Sequence, residues 1–458
     1  MPDTIAAIAT PPGEGGLHII RLSGPDSLKI LKQVFKPATG KSVETITGRR
    51  ATMGTFNNPD SGDLLDTGLV TWFPGPRSFT GEDVVEISCH GGVLVSQGIL
   101  QVLLHCGSRL ADPGEFTRRA FVNGKLDLTQ AEAVTDLIHA ASERARTNAL
   151  SHLQGRLSKK LEGFYDRLLG VLSHLETAID FPEEGLEFNQ KNKMRCDVQQ
   201  VSDEITRLAD TFKQGRIVRD GLKVVLVGKP NVGKSSLLNA LLDEDRAIVT
   251  PHPGTTRDVL EERIKLKDLH LTILDTAGIR EHPESIEEVG IARTRRALEQ
   301  ADLALVILDG SQTLDDDDRR LIEETKEINR CAIINKSDLP QTLKTDNLSA
   351  SLKTEKQISL SAKIGEGLDR LKDHLYGIAA GGNLARESLI ITRERHHQAL
   401  TRSLESLKQV CQSLEEDQSE DLIAVDMNSA LEILGSLTGK DYATDLLDQI
   451  FDDFCIGK

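Results

Sequence analysis

Residues 228–235 read GKPNVGKS, which matches the G-x-x-x-x-G-K-[ST] pattern of a phosphate-binding loop. The apolar run before it, 224–227 (VVLV), is typical of a buried strand, and residues 236–242 (SLLNALL) are typical of a helix start. Glycines let backbone N–H groups turn toward phosphates, and the helix N-terminus adds partial positive charge. Lys234 can reach the β- and γ-phosphates, and the Ser235 hydroxyl can bind Mg²⁺. The loop therefore predicts a nucleotide-binding site.

Three later stretches indicate which nucleotide is bound. Residues 275–278 (DTAG) follow the apolar strand 271–274, and their D-x-x-G form places a carboxylate near Mg²⁺ and a glycine N–H near the γ-phosphate. Residues 335–338 (NKSD) have the form N-K-x-D, and the Asp338 carboxylate can accept from both guanine N1–H and the exocyclic amine, which rejects adenine. Residues 359–363 (SLSAK) resemble the loop that closes over the base. The order of the motifs predicts a GTP-binding domain.

The residues expected to contact GTP come from these motifs and from the loop between the first two. They are Asn231, Val232, Gly233, Lys234, Ser235, Ser236, Thr250, Pro251, His252, Pro253, Gly254, Thr255, Thr256, Asp275, Thr276, Ala277, Gly278, Asn335, Lys336, Asp338, Ser361 and Ala362. Thr256 is the natural second hydroxyl ligand for Mg²⁺, beside Ser235.

The residues that would catalyse GTP hydrolysis differ from those of Ras-like proteins. In Ras-like proteins the residue after D-x-x-G is a glutamine that orients water, whereas Ile279 stands here and cannot do so. The neutral oxygens of Asn231 and of residues 250–258 suit a monovalent cation better than a divalent one. The acidic stretch 281–288 offers carboxylates that could orient water, and the alternative is that these acids are only a solvated switch segment.

Composition limits the class of protein. The 458 residues predict about three domains of ~150 residues, and 38% apolar with 28% charged residues is typical of a globular, soluble chain. We expect no transmembrane helix and no secretory signal. Six scattered cysteines without C-x-x-C spacing favour a reducing, cytoplasmic location over disulfides or zinc. A net charge of −16 argues against a broadly basic nucleic-acid surface but leaves local basic patches open.

The pattern of apolar residues divides the chain into segments of different predicted structure. Residues 1–118 read as mixed α/β, with strands predicted at 4–9, 16–22, 66–73 and 83–89 and a helix at 23–35. Leucines at helical spacing predict helices in 119–220, interrupted at 181–184, and again after 380. The aspartates 315–318 predict the first turn of a helix within the GTPase domain. Helices on both sides favour a GTPase domain inserted into one helical domain, and two separate helical domains are the alternative.

Both ends of the chain carry further motifs. They are 9–13 (ATPPG), 20–24 (IRLSG), 73–83 (FPGPRSFTGED), 90–92 (HGG), 113–117 (PGEFT), 119–121 (RAF), 125–128 (KLDL) and 454–458 (FCIGK). Together with the central residues 254–258 (GTTRD), they resemble the MnmE/TrmE family of tRNA wobble-uridine modification GTPases over essentially the full length.

The resemblance implies a multidomain α/β and α fold. An N-terminal α/β domain (1–118) would bind folate and dimerise. A helical domain would form from two flanking segments (119–220 and 380–458, the second ending in Cys-Ile-Gly-Lys). The inserted Ras-like P-loop GTPase domain (221–379) would have a doubly wound sheet.

The resemblance also implies a folate site at Arg21, Glu86, Lys125 and Lys458. Glu86 can accept from the pterin edge, while Arg21 and the lysines can meet the glutamate tail or a formyl oxygen. Without the resemblance, each is better interpreted as an ordinary ion-pair partner. Cys455 would lie near the folate as a nucleophile or acid/base, although a thiol near a terminus is by itself more often incidental.

For GTP hydrolysis, the resemblance implies K⁺ in place of an arginine finger. Its ligands would be Asn231, Thr250, the backbone carbonyl of His252, and Thr255. Glu287 corresponds to the catalytic water-positioning carboxylate, with Glu288 the alternative if the register shifts by one, and Lys234 would be catalytic as the phosphate-binding lysine. Two GTPase domains would face each other in a homodimer.

The implied reaction adds an aminomethyl or carboxymethylaminomethyl group to C5 of the tRNA wobble uridine. The carbon would come from 5,10-methylene- or 5-formyl-tetrahydrofolate, and an FAD-dependent GidA/MnmG protein would be the partner in a heterotetramer or larger complex, away from any membrane. A regulatory GTPase of the ribosome-assembly type is the rival interpretation. A GTP-binding scaffold without catalysis is disfavoured by Lys234, Ser235, Thr256 and Asp275.

Overall fold

The computed structural model describes residues 3–40, 42–181, 188–245, 262–274, 297–343, 357–381, 389–440, 444–452 and 454–458. Two compact units are present. The first contains both chain ends and comprises Met1–Thr135, His152–Leu169 and Leu431–Lys458. The second comprises Asp136–Ser151 and Gly170–Ala430.

The first unit is built on a seven-stranded sheet of order β3-β4-β5-β6-β2-β1-β7. Its strands are β1 (Ile5–Ile8), β2 (Leu17–Ser23), β3 (Phe35–Pro37), β4 (Thr52–Asn57), β5 (Leu64–Phe73), β6 (Val84–His90) and β7 (Arg109–Leu110). Neighbouring strands are antiparallel except for the parallel pair β1 and β7. Helices α1 (Ser27–Val34) and α2 (Val93–His105) share the apolar core with this sheet.

Alternation along β2 and β6 decides which side chains face that core. Ile20, Leu22 and Ile87 are fully buried, whereas the residues between them, Arg21 and Glu86, are only partly buried. The register places Arg21 directly opposite Glu86. Because successive side chains of a strand point to opposite faces, the pair occupies the sheet face away from the helices' core.

Four predicted strands are confirmed as β1, β2, β5 and β6, and the predicted helix is confirmed as α1. That helix begins later than predicted, because Gly24 has a non-helical φ of 138°. Gly24 also packs closely against the chain start: an ideal Cβ on it would lie 2.7 Å from the Asp3 carbonyl oxygen. Strands β3 and β4 were not predicted. They are short, and the glycine within TMGTFN weakens the strand pattern.

Helices follow from residue 115 onward. They are α3 (Glu115–Val122), α4 (Leu128–His139), α5 (Glu143–Leu153), α6 (Arg156–Asp180), α7 (Phe188–Ala209) and α8 (Phe212–Asp220). Helix α6 ends at Asp180, so the helix stops where the interruption was predicted to begin, and residues 182–184 of the predicted interruption lie outside the described residues. Near the C-terminus, α14 (Thr444–Asp452) packs in the first unit, where Phe451 and Phe454 share an apolar cluster with Phe121.

The part of the second unit that is predicted to bind GTP has a six-stranded sheet of order β13-β12-β11-β8-β10-β9. Its elements are β8 (Leu222–Val227), α9 (Lys234–Asp245), β9 (Glu262–Leu266), β10 (Leu269–Leu274), β11 (Leu303–Asp309), α10 (Asp316–Glu324), β12 (Arg330–Asn335), β13 (Gln357–Ser359) and α11 (Leu368–Ala380). All pairs are parallel except β9 with β10. The continuous burial of β10 and β11 is typical of a sheet covered on both faces, so the predicted doubly wound fold is confirmed.

The predicted helix start at the aspartates is also confirmed. Asp315 is the N-cap of α10, and its carboxylate accepts from the backbone N–H groups of Asp317 and Asp318. The Asp318 carboxylate accepts in return from the Asp315 N–H, which completes a capping box.

Helices from both sides of the GTPase part pack together. Helix α7 lies against α12 (Glu394–Glu415), and α13 (Glu420–Thr438) follows. Lys191 near the start of α7 pairs with Asp417 just after α12, which indicates an antiparallel arrangement. The two flanking segments therefore contribute to one helical body, as the insertion interpretation expects.

Helix α8 meets the returning chain at a very close backbone approach. The Thr211 hydroxyl accepts from the Ile391 N–H at 3.1 Å, and an ideal Cβ on Gly215 would lie 1.9 Å from the Ile391 carbonyl oxygen. Only a residue without a side chain fits there.

We expect Gly215→Ala to destabilise the protein by about 2 kcal/mol or more, because backbone must move to admit the methyl group. Gly377→Ala is the matched control: Gly377 lies within α11 with no atom within 4 Å of its ideal Cβ, so alanine should stabilise by about 0.5 kcal/mol. Thermal unfolding followed by circular dichroism compares the two. Equal midpoints would contradict this description of the junction.

Candidate functional site

The loop between β8 and α9 has the backbone geometry of a phosphate cradle. Gly233 has a φ of 101°, and an ideal Cβ there would lie 2.1 Å from the Asn335 Nδ2 atom. Gly228 is also closely packed, with its ideal Cβ 2.6 Å from the Ile307 carbonyl oxygen. Asn231 also has a positive φ, of 63°. Glycine at 228 and 233 is therefore required by space, and α9 begins directly after the second.

Lys234 lies folded into this loop. Its ammonium donates to the carbonyl oxygens of Gly228 at 2.5 Å and Lys229 at 2.8 Å. Burial lowers the pKa of Lys234. The cation is thus held by the loop that would surround a phosphate group.

The Asn335 side chain connects two of the predicted motifs. Its Nδ2 donates to the Val232 carbonyl oxygen at 2.8 Å, and its Oδ1 accepts from the Ala362 N–H at 3.0 Å. The side chain is buried. Asn335 therefore fixes the phosphate loop relative to the loop predicted to close over the base.

The remaining residues of this motif are also anchored. Lys336 pairs with Asp309 at 2.6 Å, and although burial opposes ionisation of Asp309, hydrogen bonds from Lys336 and Ser311 lower its pKa. The Ser361 hydroxyl donates to Asp338 at 2.6 Å and lowers the pKa of that carboxyl. An ionised Asp338 has the acceptor capacity that a guanine edge requires.

A cleft of about 310 Å³ lies beside these residues. Ser236, Asn239 and Ala240 line it from α9, and Ala362, Lys363, Gly365 and Leu368 line it from the other side. Glycine cradle, lysine, carboxylate and cleft are adjacent and chemically suited to a guanine nucleotide, so the described residues fit GTP.

Several predicted residues lie outside the described residues. They are Thr250, Pro251, His252, Pro253, Gly254, Thr255, Thr256, Asp275, Thr276, Ala277, Gly278, Glu287 and its alternative Glu288. Of the predicted metal ligands, Asn231 and Ser235 are described.

The first unit brings together three of the four predicted folate residues. The Arg21 guanidinium pairs with Glu86 at 2.7 Å and donates to the Gly457 carbonyl oxygen at 3.3 Å. Burial, together with the nearby Arg21 cation, lowers the pKa of Lys458, which also senses the Glu86 charge. Lys125 instead donates to the Pro76 carbonyl oxygen at 2.9 Å.

The C-terminal segment is held in place by its backbone. Ile456 bridges to Pro113, and the Cys455 carbonyl oxygen accepts from the Gly114 N–H at 3.4 Å. Gly457 has a φ of 91°, and its ideal Cβ would lie 2.7 Å from the Ile8 carbonyl oxygen. The Cys455 residue is exposed. Its thiol is therefore carried by a fixed segment beside the Arg21 and Glu86 pair.

A charged network near this site was not predicted. Arg119 binds the carboxylates of Asp3 at 2.6 Å, Glu115 at 2.9 Å and Glu82 at 3.1 Å. The hydrogen bond from Arg109 is the main cause that lowers the pKa of Asp3 to about 2. Residues 82, 115 and 119 all belong to the quoted N-terminal motifs, and charged residues inside such motifs were the available signal. The network anchors residues 73–83 through Glu82.

Within the ranges the structure describes, no helix is both long enough and apolar enough to cross a membrane.

Replacing Asn335 with alanine should weaken GTP binding by roughly 10- to 100-fold, because it removes two bonds from a buried site and leaves the Ala362 N–H unpaired. Titration with a fluorescent GTP analogue measures this. Asn329→Ala, at an exposed position just before the opposite end of β12, is the control and should bind normally. Equal affinities for the two variants would contradict the bridging role of Asn335.

Comparisons with known proteins agree with the residue-level resemblance. Residues 4–125 match the family described as "GTP-binding protein TrmE N-terminus", and residues 128–455 match the "MnmE helical domain". Among solved structures, the G domain of the T. maritima FeoB iron transporter aligns over 34% of this chain and 98% of its own, with 25% identity and a TM-score of 0.27, which supports no conclusion.

Three relatives that match over their full length are each named tRNA modification GTPase MnmE. The protein of Natranaerobius thermophilus is 43% identical, that of Moorella thermoacetica 46% and that of Heliobacterium modesticaldum 45%. Each alignment covers 100% of this chain and 99% of the relative. With both terminal motifs, the phosphate loop and the guanine motif in one chain, this protein belongs to the MnmE family of tRNA modification GTPases.

Proposed function

We propose that this chain is a K⁺-activated GTPase that works with an FAD-dependent partner of the GidA/MnmG type. Together they add an aminomethyl or carboxymethylaminomethyl group to C5 of the wobble uridine of certain tRNAs. The relatives' names support GTP hydrolysis and tRNA modification. We place the reaction in the cytoplasm and assign the domains as 1–118, 119–220, 221–379 and 380–458.

One observation favours one-carbon chemistry over a purely regulatory GTPase. The terminal Cys-Ile-Gly-Lys segment lies against the N-terminal sheet, where Arg21 binds the Gly457 carbonyl oxygen. A switch protein has no need to bring an exposed thiol, a lysine and an arginine–glutamate pair together at its chain ends.

These residues suit a folate ligand. Glu86 would accept hydrogen bonds from the pterin edge once Arg21 turns part of its guanidinium to the ligand, and Lys458 would meet an anionic or carbonyl oxygen. Lys125 would join them by leaving the Pro76 carbonyl oxygen. The bound tetrahydrofolate derivative supplies the carbon. Cys455, exposed on its anchored segment, would serve as a nucleophile or acid/base toward it.

The nucleotide site is proposed to drive the cycle without supplying atoms. Ser235 and Thr256 would hold Mg²⁺, and Lys234 would contact the phosphates. Asn231, Thr250, the His252 carbonyl and Thr255 would hold K⁺, and Glu287 would position the water. Hydrolysis across facing GTPase domains of a homodimer would then drive domain closure that organises the partner's active site.

The decisive test is mass spectrometry of tRNA nucleosides from cells with and without the gene. We expect loss of the 5-aminomethyl-type uridines, with other modifications intact. Cells carrying Cys455→Ser should show the same loss, because the proposed chemistry uses this thiol, whereas cells carrying Cys196→Ser, a change at another exposed cysteine, should not. Unchanged wobble uridines in cells lacking the gene would leave the regulatory GTPase as the better interpretation.

The K⁺ site predicts that GTP turnover in K⁺ exceeds turnover in Na⁺ at equal ionic strength by roughly 100-fold, because a correctly sized cation neutralises developing charge. Asn231→Gly keeps a backbone able to adopt the positive φ but removes the side-chain oxygen. The ratio of the two turnover rates should fall toward one in that variant. A ratio equal to the wild-type ratio would remove Asn231 from the proposed ligands.

A further inference from the structure

Lys229, the second residue of the phosphate loop, makes contacts outside the loop that the GTP-binding motif does not require. Its ammonium lies 2.5 Å from the Asp315 carboxylate and 2.9 Å from the Asp318 carboxylate. The side chains of Lys229 and Asp318 are 18% and 7% exposed. The motif pattern leaves this position open to any residue.

The two carboxylates are themselves fixed in orientation. They are the two members of the capping box of α10: the Asp315 carboxylate accepts from the backbone N–H groups of Asp317 and Asp318, and the Asp318 carboxylate accepts from the backbone N–H of Asp315. Burial alone would lower the pKa of Lys229, but its hydrogen bonds to Asp315 and Asp318 outweigh burial and raise it. The lysine is therefore a cation held by a preorganised pair of acceptors at a helix start.

The backbone of Lys229 contacts Lys234, the phosphate-binding lysine. Its carbonyl oxygen accepts from the Lys234 ammonium at 2.8 Å. The neighbouring Gly228 is confined by Ile307 of β11, and Gly233 by Asn335. Between these two close contacts, the bond to α10 anchors the first half of the loop through a side chain.

We propose that Lys229 is a positioning residue for GTP binding, and that its pairing with the α10 capping box fixes the phosphate-loop backbone in its binding conformation. This inference rests on the proposed GTPase function and adds α10 to the elements that determine nucleotide affinity. Lys229 acts through the backbone and through Lys234, without itself contacting the nucleotide.

Lys229→Met removes the charge and keeps most of the side-chain volume. We expect its dissociation constants for GTP and GDP to rise by about tenfold each, since Asp315 is largely exposed and solvent screens part of the pair. Both nucleotides should be affected alike, because the loop holds phosphates present in both. Binding is measured on the full chain with fluorescent GTP and GDP analogues.

Three further variants separate positioning from general stability. Lys229→Arg restores the cation and should return affinity to within about threefold of wild type. Asp318→Asn retains an acceptor for the Asp315 N–H but loses the charge, and combining it with Lys229→Met should cost no more than the larger single effect. Lys326→Met removes an exposed pair with Glu323, which lies near the end of α10 opposite to Asp315 and Asp318, and should leave affinity unchanged.

Unchanged affinity in Lys229→Met, with wild type binding GTP, would overturn this inference alone. So would failure of arginine to rescue, or additive losses in the double variant. Should Lys229→Met fail to fold, Asp318→Asn decides by itself, since its affinity must fall while that of Lys326→Met does not. Failure of the wild-type chain to bind GTP would instead overturn the proposed function and this inference together.

Discussion

The last residues of the chain must return to the sheet that the first residues build. Gly457 approaches the Ile8 carbonyl so closely that a side chain there would clash, and its carbonyl is bound by Arg21 of β2. The anchoring of Phe451 and Phe454 against Phe121 brings the segment to this position. Because the site needs residues of β2 as well as Gly457, it forms only after both segments have been synthesised.

The nucleotide site depends on a different constraint. Motifs far apart in sequence meet because parallel strands end at the same edge of a sheet. Asn335 holds the phosphate loop at a fixed distance from the loop that contains Ala362, because its buried side-chain amide hydrogen-bonds to the backbone of both. Lys229 does the same for α10 at the loop's beginning. The loop is thus held by neighbouring elements as well as by its own glycines.

The sequence predicted the features that short-range pattern controls. Apolar runs located β8 and β10, helical spacing located α7 and α12, and the aspartates located the start of α10. The register of the strands and the pairing of residues far apart in the sequence could not be predicted from such short-range patterns. Only the family resemblance assigned a ligand role to Arg21 and Glu86, because no spacing rule shows that they face each other. The ion pairs of Arg119 were not predicted for the same reason, since the carboxylates that it binds come from three separate segments.

The hydrogen bond between Thr211 and Ile391 joins residues that are 180 positions apart in the sequence. The polypeptide therefore leaves the helical body and rejoins it at nearly one point. An insertion with such close ends leaves its host's backbone path continuous, so a GTPase cassette can be gained, lost or exchanged in evolution without rebuilding the helices around it. The close contact between Gly215 and the Ile391 carbonyl oxygen lies beside that bond and helps to hold the two ends of the inserted domain together.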